Sequence, residues 1–234
     1  MIAFDRFAPF VQDFIYANGW ESLRSIQVAA ADAIFNTNEN VLLTASTASG
    51  KTEAAFFPIL TLFSEDPPAS VGALYIGPLK ALINDQFYRL NDLCDQADIP
   101  VWHWHGDVAA SHKRKLLQNP SGILQITPES LEALLLHKHS AISRLFGDLR
   151  FIVIDEVHSL LRGDRGGQTL CLIAVSYTHL DVYKRQHPTG AHARGSCPCQ
   201  GAQARRRLRG ARACPGRRLS VGYVFGRALV GAGI

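Results

Sequence analysis

Two short stretches of the chain carry residues whose types and spacing could do chemistry. The first is Ala45-Ser46-Thr47-Ala48-Ser49-Gly50-Lys51-Thr52, which follows the apolar run Val41-Leu42-Leu43 and precedes Glu53-Ala54-Ala55-Phe56-Phe57. A loop of small residues between a strand and a helix lets successive backbone N–H groups converge on phosphate oxygens. The helix N-terminus adds its partial positive charge. Thr47, Ala48, Ser49 and Gly50 would line that cradle, Lys51 would reach the β- and γ-phosphates, and the Thr52 hydroxyl would ligate Mg²⁺. The strict pattern G-x-x-x-x-G-K-[ST] has glycine where this chain has Ala45, so a small-residue turn with an incidental Gly-Lys-Thr is the competing reading.

The second stretch lies about a hundred residues later. Phe151-Ile152-Val153-Ile154 is a continuous β-branched and aromatic run, as expected of a strand buried on both faces of a parallel sheet. It ends in Asp155-Glu156-Val157-His158. Carboxylates at the C-terminal end of such a strand stand where α/β sheets bind ligands. Asp155 could hold Mg²⁺ through water, and Glu156 could orient and deprotonate an attacking water. Taken alone, the same residues suit an acidic strand-to-helix turn. Together with Lys51 they read as nucleotide hydrolysis.

The pair ASTASGKT and DEVH resembles motifs I and II of the superfamily 2 helicases, the DEAD/DEAH-box group. The lettering is closer to the Lhr-like and Ski2-like branches than to the small DEAD-box RNA helicases. The resemblance covers residues 1 to about 175. It implies an α/β fold, a RecA-like P-loop domain with a mostly parallel sheet and helices on both faces. It also implies ATP and Mg²⁺ as cofactors, DNA or RNA as partner, and ATP hydrolysis in the parent protein.

Further segments extend the likeness. Gln27 resembles the Q-motif glutamine that reads the adenine edge, and Phe10 stands where that motif places an aromatic. The plain alternatives are an exposed helical Gln and a core Phe. Gly77-Pro78-Leu79-Lys80-Ala81-Leu82-Ile83-Asn84-Asp85-Gln86 resembles motif Ia, whose turn and helix N-terminus grip a sugar–phosphate backbone. By that likeness Pro78 and Lys80 face nucleic acid, although a solvated surface lysine would look the same. Gly106 and Asp107 resemble a short family turn near the nucleic-acid groove. Thr127, Pro128 and Glu129 resemble motif Ib, which contacts a further phosphate, and the same residues also make an N-capped helix with proline in its first turn. The likeness implies that His158 couples the two sites.

The elements that must position these residues follow from periodicity. Helices are expected over Phe4–Asn18, Ser22–Phe35, Glu53–Phe63 (with Pro58 inside or at a bend), Leu82–Ala97, Ser111–Gln118 and Leu131–Phe146. Strands are expected at Val71–Ile76, Val101–His105 and Gly122–Ile126. On the strand at 101–105, His103 and His105 face one way and the tryptophans the other. No further Cys/His cluster in the sequence nearby completes a metal site, so they read as ordinary strand residues. Lys113, Arg114 and Lys115 read as a solvated helix face.

A hydrophobic content of 47% in 234 residues suffices for a core. No run of eighteen apolar residues suggests a membrane span, and the N-terminus has no secretory pattern. The expectation is a cytoplasmic protein with free thiols. The net charge of +4 conceals two unlike parts. Residues 1–175 hold 13 Lys/Arg against 19 Asp/Glu, a net of −6, whereas residues 176–234 hold 11 against 1, a net of +10.

That asymmetry could mark a basic nucleic-acid-binding arm around Arg205-Arg206-Arg207-Leu208-Arg209. However, Val175-Ser176-Tyr177-Thr178-His179-Leu180-Asp181-Val182-Tyr183-Lys184-Arg185-Gln186 resembles a stretch that recurs at the ends of gene models assembled from fragmentary DNA. The rest is dominated by residues with GC-rich codons. The division expected is therefore 1–175 as the ATP-binding domain and 176–234 as a non-native basic tail (an assembly artefact or shifted frame) with no packed domain. Neither a Ser-Ala-Thr motif III nor a second RecA-like domain is visible, so a truncated chain with little activity of its own is expected. The rivals are a P-loop ATPase of another class and a non-catalytic nucleic-acid-binding module.

Overall fold

The computed structural model describes residues 3–37, 40–45, 49–156 and 220–226. The first expected helix is divided. A 3-10 turn over Ala3–Arg6 is followed by α1, Pro9–Ala17. Proline at its first position holds Ala8 extended and starts the helix afresh. Gly19, at φ 67°, then turns the chain off the end. Helix α2 is Ser25–Asn36, followed by β1, Val41–Ala45, and α3, Lys51–Glu65, with Pro58 inside it. Next come β2 (Val71–Ile76), α4 (Lys80–Asp95), β3 (Val101–Trp104), α5 (Ala110–Gln118) and β4 (Gly122–Ile126). The single helix expected over 131–146 is two, α6 (Pro128–His137) and α7 (His139–Leu145), with Lys138 out of helical geometry between them. Strand β5 is Phe151–Asp155, and β6 is Ser220–Gly226.

The six strands form one parallel sheet in the order β1-β6-β5-β2-β4-β3. Crossover helices cover both faces, as a parallel sheet requires. Alternation along each strand divides the core into two clusters. Ala73, Tyr75, Phe151 and Val153 pack with α1, α2, α3 and α4, through residues such as Val11, Ala30, Phe56 and Leu90. Leu74, Ile76, Ile152 and Ile154 pack on the other face with α5, α6 and α7, through Leu116, Leu131 and Leu145.

Strand β6 comes from the basic tail for which no packed domain is expected. It is bonded on one side to β1 and on the other to β5. Its run Val221-Gly222-Tyr223-Val224-Phe225 is rich in β-forming residues, unlike the arginine- and glycine-rich sequence before it. The remainder of the tail lies outside the described residues.

The N-terminal ends of β2 and β5 are tied by Arg150. Its guanidinium meets Asp148 at 2.8 Å and Asp66 at 3.0 Å, while buried Asp148 accepts the Ala69 N–H at 3.0 Å. The opposite, C-terminal edge carries the residues of interest.

Candidate functional site

Gly50 is the N-cap of α3 and stands at φ 79°, a left-handed conformation that glycine adopts without steric cost. Lys51, the first residue of the helix, is largely buried, and its Nζ donates to the Ala45 carbonyl at 3.0 Å. The ammonium is thus held over the end of β1, and Thr52 follows it in the first turn. Gln27 is 1% exposed, so it is not the exposed helical glutamine of the plain reading. Its Oε1 accepts the Arg24 N–H at 2.9 Å, capping α2. A Cβ built on Gly50 would stand 2.7 Å from Gln27 Nε2, so the glutamine amide abuts the glycine of the candidate phosphate loop. Phe10 is half-buried and packs against the first core cluster.

Asp155 closes β5. Cross-strand register sets it level with Val224 on β6, and through it with Leu43 on β1. One strand separates β1 from β5, so Asp155 and the start of the phosphate loop lie about two strand spacings, roughly 10 Å, apart on the same edge. The Asp155 carboxylate is buried and anchored at both oxygens. Oδ1 accepts the Glu156 N–H at 2.9 Å and Oδ2 accepts the Tyr75 hydroxyl at 2.5 Å. Burial, then the Asp155 charge, push the Tyr75 phenol well above its ordinary range. Glu156 sits at φ 49°, a strained conformation for a residue with a Cβ. Tyr75 was not a candidate from sequence, because 80 residues separate it from its partner.

On the far half of the edge, Pro78 is buried and Lys80 opens α4, exposed. Lys80 is ion-paired. Its Nζ lies 3.1 Å from both carboxylate oxygens of Asp107, and Gly106 lies directly beneath the ammonium. His105 is buried, with Nε2 2.9 Å from Asn84 Oδ1. The His103 ring stacks on His105 at 5.6 Å and on His112 of α5 at 5.1 Å. Burial, the largest cause, lowers the pKa of all three. No cluster of three or more His, Cys, Asp or Glu residues that could hold a metal ion occurs among the described residues. Thr127 caps α6 by accepting the Ser130 N–H at 3.3 Å, with Pro128 and Glu129 in the first turn. These three residues stand at the end of β4, between the strands that lead to Lys80 and to Gly106.

The cradle around Gly50 suits a phosphate chain. Gln27 Nε2 and Ser49 Oγ are buried without a hydrogen-bond partner among the described residues, and such donors need partners. A hydroxyl on Thr52 and a carboxylate on Asp155 form the hard-oxygen set that Mg²⁺ takes. Thr47, Ala48 and His158 lie outside the described residues. No described helix is long and apolar enough to cross a membrane.

The sheet and its edge define a RecA-like α/β domain. The DUF1998 helicase MrfA, solved with DNA and AMPPNP, superposes with a TM-score of 0.71 at 24% identity, over 94% of this chain and 26% of its own. Residues 24–181 match the DEAD/DEAH box helicase family, and the chain belongs to it. It is 34% identical over 150 residues to the ATP-dependent helicase Lhr-Core of Saccharolobus solfataricus, covering 58% of this chain and 17% of that protein. It is 35% identical over 124 residues to the ATP-dependent helicase YprA of Bacillus subtilis, covering 52% and 16%. The chain therefore spans about a sixth of the length of these two relatives.

Proposed function

We propose that this chain is the nucleotide-binding part of an ATP-dependent helicase or translocase that holds a nucleic-acid backbone on the other half of the same edge. The observation that carries the reading is the common edge. Lys51 is held over the end of β1 and Asp155 ends β5, close enough for one nucleotide to meet both.

In this reading Lys51 neutralises phosphate charge, the loop amides donate to phosphate oxygens, and the Gln27 amide donates to the adenine edge. Thr52 and Asp155 hold Mg²⁺, which when bound offsets the charge that builds on the transferring phosphoryl group. Glu156 orients and deprotonates the attacking water. Lys80, the turn at Gly106 and the N-terminus of α6 grip phosphates of DNA or RNA, contacts that position without reading sequence. Hydrolysis in this fold class draws on a charge delivered across a cleft, which we assign to a second RecA-like domain of the parent protein. The setting that the reading implies is the cytoplasm.

The test is Lys51→Ala in the chain as it stands. Binding of a fluorescent AMP-PNP analogue should fall below detection while the thermal midpoint holds. Unchanged affinity would refute the phosphate assignment.

A further inference from the structure

We infer that Tyr75 is a positioning residue for Mg²⁺·nucleotide, acting through Asp155. The inference rests on the nucleotide reading above and deepens it.

Tyr75 and Asp155 come together through the register of β2 and β5. Tyr75 pairs with Val153, and two residues further along β5 the alternation returns Asp155 to the same face. Residues two apart on a neighbouring strand are within reach of an aromatic side chain. The phenol therefore runs along the strand end and places its hydroxyl 2.5 Å from Oδ2. The ring stacks at a tilt on Phe56 of α3, 6.1 Å between centroids, so the helix that begins with Lys51 sets the position of the ring.

Packing alone asks only for a ring here. Tyr75 is 1% exposed, and a phenylalanine would fill the same space without a polar atom to satisfy. The hydroxyl has meaning only as a donor to Asp155. With the Glu156 N–H on Oδ1, the two donors fix the plane of the carboxylate. Each occupies one lone pair of its oxygen. A carboxylate whose plane is fixed in this way presents its oxygens in one direction, which is what a ligand to a geometrically demanding cation requires. Without the hydroxyl, Oδ2 loses the Tyr75 donor that orients it.

The experiment titrates Mg²⁺ into the full chain at fixed fluorescent AMP-PNP analogue, alongside nucleotide affinity in EDTA, for wild type, Tyr75→Phe, Asp155→Asn and the double variant. Partners that orient a metal ligand are typically worth tenfold to a hundredfold in metal affinity. The Mg²⁺ midpoint should thus rise about tenfold in Tyr75→Phe, with affinity in EDTA unchanged. The double variant should match Asp155→Asn alone, because Tyr75 has nothing left to act through. A Tyr75→Phe chain with the wild-type Mg²⁺ midpoint overturns the inference while leaving the nucleotide site standing. One that loses affinity equally in EDTA, or no longer melts cooperatively, also overturns it, since the hydroxyl would then serve packing. If the wild type shows no Mg²⁺-dependent binding, the underlying site reading fails and the inference falls with it.

Discussion

Replacing Gly50 by alanine tests the construction of the phosphate loop without touching any charged group. Two costs can be worked from the structure. The residue stands at φ 79°, where an L side chain pays about 1–2 kcal/mol. The new Cβ would also lie 2.7 Å from Gln27 Nε2. Gln27 ends in a flexible amide, but it is 1% exposed and its Oε1 holds the Arg24 N–H, so moving it sacrifices a helix cap worth about 1 kcal/mol. The total is about 2–3 kcal/mol. For a chain of this size, it should lower the melting midpoint by roughly 5–10 °C. If the same strain must be overcome on binding, nucleotide affinity falls about 30- to 150-fold. Differential scanning calorimetry and analogue binding measure the two effects. Gln27→Ala in the same background removes the obstacle, so the double variant should cost about 1 kcal/mol less than the sum of the singles. Wild-type melting and binding in Gly50→Ala, or strict additivity of the pair, would refute the reasoning.

Two further outcomes follow from the half of the edge proposed to hold nucleic acid. Lys80 and Asp107 are both well exposed, so their ion pair contributes at most about 1 kcal/mol to stability. Asp107→Asn should leave melting nearly unchanged and release Lys80 for phosphate. Single-stranded oligonucleotide affinity should then rise up to about fivefold, with the slope of log K against log salt steeper by about one. An unchanged slope in fluorescence anisotropy would show that Lys80 does not meet phosphate. The stacked histidines make stability depend on pH. Burial lowers the pKa of His103, His105 and His112 below their ordinary 6.5, opposed at His105 by Asp107. The native state then binds fewer protons than the unfolded chain, so this stability is complete above about pH 6.5 and is lost as pH falls through 6.5 towards the lowered values. The melting midpoint should drop between pH 7.5 and 5.5, and His103→Leu should flatten the drop. A midpoint that rises on acidification would contradict the assignment.

What could be read in the sequence was whatever local pattern dictates. The apolar run before Asp155 and the small residues before Lys51 marked both halves of the candidate nucleotide site, because strand–loop–helix order is written in consecutive residues. Helix boundaries were harder to read: the helix expected over Phe4–Asn18 runs across Pro9, where α1 in fact begins. They were not readable at Lys138, where His137-Lys138-His139 carries no glycine or proline and nothing local marks the break between α6 and α7. The partners were the other blind spot. Tyr75 reaches Asp155 across 80 residues, and Lys80 reaches Asp107 across 27. No periodicity encodes which side chains two crossover connections bring side by side. The strand at 220–226 was missed for a related reason, since it joins the sheet far from its sequence neighbours.

The register of the sheet makes β2 the element on which the two halves of the edge meet. Tyr75 faces the acid end of β5, and Lys80 lies five residues on, at the start of the helix that β2 feeds. Across the sheet Tyr75 stands opposite Gln125 of β4, which stands opposite His103 of β3. Period-two alternation keeps the three on one face. Gln125 is fully buried, and neither amide atom has a partner among the described residues. Such a group costs about 1–3 kcal/mol in a position where a leucine would pack without penalty. Sequences depart from local rules of this kind mostly at functional sites. Here the departure forms a row from the candidate metal ligand to the histidines behind Lys80 and Asp107.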